Sequence, residues 1–352
     1  MSEPVTIALD AMGGDDAPRI VVAGANIARR RHPEIRFLLH GDRDRIRPIL
    51  DRQRGLAEFV ELIHTEAMVR PDDKPSQIVR TGRDTSMWRA IQSVKDGEAA
   101  GVVSAGNTGA LLAMAMLQLK RLDGIDRPGI ASFLPTMRGE TVMLDLGANL
   151  ACDARNLVQF AVMGEVFART VLGITDPTVG LLNVGAEDIK GNEALREAAR
   201  ILREHVFRGE FVGFIEGDDI AAGAVDVVVT DGFTGNVALK TAEGTARLMS
   251  AIVREAFRNS LSAKIGYVFA KRALDKVRGR TDPRRYNGAM FLGLNGVCVK
   301  SHGGTDAIGF ATAIGVAVDM VKYGGNQLIA EHMAQLDVAR GGAEPPAAAV
   351  AS

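Results

Sequence analysis

The sequence predicts an α/β protein built on a mainly parallel sheet with helices on both faces. Three observations carry this. Short apolar runs alternate with helical stretches along most of the chain. Those runs show little polar alternation, as strands covered on both sides do. Several of them end in loops that combine glycine with Asp, Asn, Ser or Thr, and in parallel sheets ligands collect at the carboxyl ends of strands.

Taken in order, a strand is expected at 5–9, a helix at about 18–31, a strand at 36–40, a helix near 43–54 and a strand at 59–63. The stretch 66–76, with Pro71, Asp72, Asp73, Lys74 and Pro75, reads as a long surface loop. A helix at 86–95, a strand at 100–103 and a helix at 109–119 follow, then strands at 141–144, 178–182, 211–215 and 225–230. From about 233 to 286 the pattern changes to two long helices broken near 259–262. The second carries Leu261, Ile265, Val268 and Phe269 on one side and Lys264, Lys271, Arg272 and Lys276 elsewhere. Arg278, Arg280, Arg284 and Arg285 follow, opposed by Asp275 and Asp282. An apolar face flanked by cations suits an anionic membrane surface, and it equally suits a helix hairpin packed in a dimer interface. Residues 1–340 read as one unit with this pair, about 241–281, as an insertion; the Ala- and Pro-rich tail 341–352 is expected to be disordered.

Composition narrows the function classes. A chain of 352 residues can bury a large core, and 47% hydrophobic content with a formal net charge of -1 is ordinary for a soluble globular protein. That balance gives no reason to expect nucleic acid as a partner. The two cysteines, Cys152 and Cys298, are too few for a disulfide framework and fit no zinc spacing. With no signal peptide or membrane-spanning run expected, the reading is cytoplasmic.

Four glycine-rich loops carry the chemistry: DAMGGD at 10–15, SAGNTGA at 104–110, DLGAN at 145–149 and DGFTGN at 231–236. Glycine lets the backbone turn sharply so that its N–H groups converge on an anion. Four such loops, each closing a predicted strand, are expected to form one polar site for a phosphate-like group. None follows the GxGxxG spacing, with an acid about 20 residues later, of a dinucleotide fold.

Together with NVGAEDIKGN at 183–192, the extended DGFTGNVALK at 231–240, YNGA at 286–289 and KSHG at 300–303, these loops resemble the bacterial phosphate acyltransferases of phospholipid synthesis. The resemblance covers roughly 4–325. It implies transfer of a fatty acyl group from acyl carrier protein to inorganic phosphate, giving an acyl phosphate for a membrane glycerol-3-phosphate acyltransferase. It also implies a fold similar to the isocitrate/isopropylmalate dehydrogenase and phosphotransacetylase group, a homodimer, and peripheral membrane association through the helix pair. Ala151 and Ala186 stand where relatives often carry polar or acidic residues.

Such a reaction needs phosphate held in line with a thioester carbonyl and donors for the developing oxyanion. Phosphate is itself the nucleophile, and a thiolate leaves readily, so no nucleophile–base pair is required. Ser104, Gly106, Asn107, Thr108 and Gly109, entering a helix, can bind the phosphate through backbone N–H groups and side chains; a plain strand–helix turn is the other reading. Asp10, Gly13, Gly14, Asn149, Asp231 and Lys240 are the accompanying substrate-binding candidates. Lys190, Asn236 and His302 are the catalytic candidates: a cation for phosphate or oxyanion, an amide donor, and a group for phosphate binding or proton transfer. The clustered Asp10, Asp15, Asp145 and Asp231 cannot all face phosphate without repulsion, so some are expected to orient neighbouring groups. No cofactor or metal is expected, and Cys152 is not expected to be an acyl nucleophile.

Overall fold

The computed structural model describes residues 4–204, 208–258 and 260–341; the expected tail at 342–352 lies outside the described residues. Its strands are β1 (Thr6–Asp10), β2 (Arg36–Gly41), β3 (Val60–His64), β4 (Gly101–Ser104), β5 (Gly129–Pro135), β6 (Glu140–Leu144), β7 (Thr178–Leu182), β8 (Glu210–Ile215), β9 (Val227–Val229), β10 (Ala289–Leu292) and β11 (Val297–Lys300). They form one 11-stranded sheet in the order β3-β2-β1-β4-β11-β10-β5-β6-β9-β7-β8. The helices are α1 (Arg19–Arg31), α2 (Arg43–Leu50), α3 (Pro75–Thr81), α4 (Ser86–Lys95), α5 (Thr108–Leu119), α6 (Ala154–Phe167), α7 (Glu193–Glu204), α8 (Gly217–Ala222), α9 (Gly232–Arg258), α10 (Leu261–Arg280), α11 (Ala307–Lys322) and α12 (Gly325–Gly341).

Alternate residues of each strand feed two cores, as the period-two pleat dictates. Ile7, Leu9, Leu144, Val229 and Val299 pack with α1, α6, α11 and α12 on one face. Ala8, Val102, Met143, Val228 and Cys298 pack with α4 and α5 on the other. This is the expected α/β arrangement. No single helix among the described residues is long and apolar enough to cross a membrane.

Three strands were not among the expected ones, and they decide where the loops go. β10 runs antiparallel to both β11 and β5, and β5 runs antiparallel to β6. β6, β9, β7 and β8 are mutually parallel, but their direction is opposite to that of β1, β2, β3, β4 and β11. The register shows the consequence. One row across the sheet runs Val103, Val299, Met290, Ala131, Leu144, Val229. Ser104 follows Val103 on one side of that row, and Asp145 follows Leu144 on the other. The four glycine loops therefore share the carboxyl ends of strands without sharing an end of the sheet.

Local differences from the expected elements have simple causes. The loop at 66–76 passes directly into α3, because Pro75 takes the first helical position, where its missing N–H costs nothing. The helix expected to 54 stops at Leu50, and Asp51 caps it. The helix pair breaks between Arg258 and Leu261 as expected, with the Ser260 hydroxyl accepting from the N–H of Ala263. Tyr267 meets Phe257 edge-on at 5.5 Å and ties the two helices together.

Candidate functional site

The last residue of β1, Asp10, organises the first loop group. It is buried, and its Oδ1 accepts from Ser86 Oγ at 2.6 Å and its Oδ2 from Ser104 Oγ at 2.7 Å. Burial raises its pKa above the ordinary carboxylate range, while the two hydroxyls pull it back. Ser104 Oγ in turn accepts the N–H of Gly106 at 3.0 Å, which fixes the turn after β4. Neither side chain faces solvent, and together they fix the shape of the turn. Gly13 is required here for close approach: a Cβ would sit 2.8 Å from the Gly106 nitrogen. Gly14, at φ +107, occupies the left-handed region beside Ala105.

Asn107 caps α5 with its Oδ1 on the N–H of Ala110 at 3.0 Å, and its Nδ2 donates to the carbonyl of Pro71 at 3.0 Å. Its own carbonyl receives the N–H of Leu111. Among the described residues, the backbone N–H groups of Asn107, Thr108 and Gly109 have no acceptor. Three donors thus stand free at the positive end of a 12-residue helix. Thr108 and Gly109 are exposed.

The segment after β11 joins this group. Ser301 N–H donates to the Ser104 carbonyl at 2.8 Å, and Asp15 N–H to the Gly303 carbonyl at 3.0 Å. His302 is exposed; its backbone N–H donates to Asn287 Oδ1, and its Nδ1 accepts from the N–H of Gly304 at 3.2 Å. Lys300 reaches the carbonyl of Ala105 at 3.5 Å. A depression of about 530 Å³ lined by Asp15, Arg19, Gly303, Gly304, Thr305 and Asp306 adjoins these loops.

The second group, at the opposite end of the sheet, is arranged differently. Asp145 is fully buried and accepts from the N–H groups of Ile130 (2.9 Å), Gly147 (3.2 Å), Ala148 (3.1 Å) and Asn149 (2.7 Å) and from Asn149 Nδ2 (2.9 Å). Asn149 is buried, and its amide also donates to the carbonyl of Pro128 at 2.8 Å. Asp231 receives the N–H of Thr234 at 2.8 Å and its hydroxyl at 2.9 Å, as the cap of α9. Asn236 is exposed and donates to the carbonyl of Leu146 at 3.1 Å, which places it against Gly147. Lys240 pairs with Glu243 at 3.0 Å on the exposed face of α9. Lys190 is exposed, and among the described residues its ammonium has no ion-pair or hydrogen-bond partner. Cys152 lies beside this group in a cavity of about 940 Å³ that Arg127, Asn156, Asn192 and Arg196 also line. Burial, together with Asp145 and Asp231, pushes its thiol up to about 12.

The structure thus brings together Asp10, Gly13, Gly14, Ser104, Gly106, Asn107, Thr108, Gly109 and His302 in one group, and Asn149, Asp231, Asn236 and Lys190 in loops at the other end. Among the described residues no hydrogen bond or ion pair joins the two groups. The expectation of one converging site is corrected to this extent. Lys300, which sequence reasoning named only within KSHG and not as a site candidate, joins the first group through the Ala105 carbonyl. Its signal was its place at the end of an apolar run, immediately before His302.

A family model described as fatty acid synthesis protein matches residues 5–328. The phosphate acyltransferase of Rhodospirillum centenum is 63% identical over 339 residues, covering 96% of each chain. That of Rhodospirillum rubrum is 58% identical over 338 residues, covering 96% of this chain and 97% of the relative. Among solved structures, a phosphotransacetylase from Streptococcus pyogenes aligns with a TM-score of 0.62 at 19% identity, over 92% of this chain and 95% of that one. At that identity the likeness concerns the fold.

Proposed function

We propose the following reaction from one premise: the chain belongs to the phosphate acyltransferase family. Inorganic phosphate binds at the N-terminus of α5 and attacks the carbonyl carbon of a fatty acyl thioester carried by acyl carrier protein. An oxygen–carbon bond forms, the carbon–sulfur bond breaks, the carrier leaves as a thiolate that takes up a proton, and the product is an acyl phosphate. The observation that carries this reading is the set of three unpartnered N–H groups at 107–109, an anion site that no side chain of the described residues fills.

The thiol of Cys152, held at about 12, supports direct attack without an acyl-cysteine. Lys190 and Asn236, exposed on the second group of loops, stand at the other end of the sheet, and the reaction as written gives them no contact with the thioester oxygen. To His302, exposed on the segment packed against the phosphate loop, we assign proton transfer. Asp10, Asn149 and Asp231 hold these loops in shape. No step as written calls for a metal or cofactor.

The acyl phosphate then serves a membrane glycerol-3-phosphate acyltransferase in phospholipid synthesis. Peripheral membrane contact is supported by α10, whose Phe269 is 86% exposed beside exposed Ile265 and Val268, on a helix that also carries Lys264, Lys271, Arg272 and Lys276. A homodimer is supported by the exposed apolar stripe of Leu248, Met249, Ile252 and Val253 on α9.

The test is release of carrier protein from an acyl carrier thioester by the purified chain. We expect it to require phosphate and to exceed release from the matching coenzyme A thioester. A folded chain that gives no phosphate-dependent release from either donor sinks the reading. Lys190→Ala and Asn236→Ala test the other end of the sheet: a fall in kcat of about 100-fold, the usual scale for an oxyanion donor, with the melting curve unmoved, would bring the second group of loops to the thioester. Wild-type rates remove these residues from the mechanism.

A further inference from the structure

Resting on the phosphate reading above, we infer that Lys300 is a phosphate ligand of the acyl-transfer site, its ammonium facing the anion held by the loop at 104–109. Lys300 ends β11 in register with Ser104, the residue that opens that loop. Its Nζ donates to the carbonyl of Ala105 at 3.5 Å and to that of Ser301. An ammonium has three donors, so one remains open at the junction of the loops 13–15, 104–106 and 300–304.

The charge is the stronger argument. The side chain is half-buried, yet among the described residues no carboxylate lies within ion-pair distance. Asp10 is the acid that acts on it most strongly, and its oxygens are engaged by Ser86 and Ser104. Asp15, from the loop after β1, is exposed. Burial pulls the Lys300 ammonium down to about 8, and Asp10 and Asp15 act against that. Near neutral pH it is therefore largely a half-buried cation that has carbonyl acceptors but, among the described residues, no acid partner, an arrangement that is costly until an anion arrives. Phosphate supplies that anion, and the free amides of Asn107, Thr108 and Gly109 lie on the loop whose carbonyl Lys300 already holds. The competing role is a purely structural tie between the segments at 105 and 301.

The experiment is steady-state acyl transfer by wild type, Lys300→Met and Lys300→Arg, with phosphate and acyl donor varied separately. A ligand role raises the KM for phosphate at least tenfold in K300M, leaves the KM for the acyl donor within twofold, and partly restores the phosphate KM in K300R. An unchanged phosphate KM in K300M, with or without a lowered melting temperature, overturns the inference. If K300M does not fold, amine labelling of the wild type at pH 8 decides: saturating inorganic phosphate slows modification of Lys300 several-fold, and an unaltered rate overturns the inference. A wild type without any phosphate-dependent turnover is a separate outcome. It removes the functional reading itself.

Discussion

The loops at 104–109 and 145–149 both follow an apolar strand, and both place glycine beside an asparagine, yet they finish in opposite electrostatic conditions. In the second, the carboxylate of Asp145 folds back into its own loop and takes four backbone N–H groups together with the Asn149 amide. An anion already occupies that nest. In the first, Asp10 takes the hydroxyls of Ser86 and Ser104 and accepts no backbone N–H from residues 104–109. Among the described residues, nothing accepts from the N–H groups of 107–109. Similar composition thus gives a self-filled loop in one place and a receptive one in the other. What separates them is the position of a single carboxylate.

The comparison can be broken most severely at Asp145. Asp145→Ala strips five donors of their acceptor in a buried setting, so we expect a loss of about 3–5 kcal/mol in urea unfolding, with the phosphate KM of the surviving folded fraction unchanged. Stability within 1 kcal/mol of wild type would mean that the second loop does not depend on its internal anion. Thr108→Pro probes the other side. Position 108 is the first residue of α5, where proline fits, and Asn107 is already extended at φ -57 and ψ 122. The change removes one free N–H and little else, so phosphate KM should rise by about tenfold, the lower end for a hydrogen bond to a charged group, at nearly constant melting temperature. A variant with normal phosphate KM would show that the amides of α5 are not the receptive element. The smallest expected effect is at Cys152, beside the filled loop. Its thiol, at about 12, is protonated throughout the neutral range, so Cys152→Ala should keep turnover within about twofold. A large loss would revive a covalent route and move the chemistry to the second group.

Much of the fold was legible because it rests on local periodicity. The run of apolar segments ending at 9, 103, 144 and 182 announces buried strands, and Asn107 announces the cap of α5, since both signals lie within a few residues. The central antiparallel strands were not legible. β10 and β11 have four residues each, separated by a tight turn, and a run that short carries no period. Of the candidate site, the loops could be read as anion-binding elements. Which of their donors remain open could not. Asp10 to Ser86 spans 76 residues and Lys300 to Ala105 spans 195, and no spacing rule reaches that far.

By itself, then, the sequence determined the class of fold, the helix pair with its break near 259–262, the family resemblance and the kind of ligand the loops suit. These follow from side-chain size, polarity and short-range geometry. The tertiary structure alone decided the reversal of strand direction at β10 and β5, which sends the loops to two ends of the sheet. It also decided that Asp145 fills its own nest, and that Lys300 lies half-buried with no acid partner among the described residues. Each of these depends on which distant segments pack together, because the charge and hydrogen-bond state of a buried group is set by its neighbours in space.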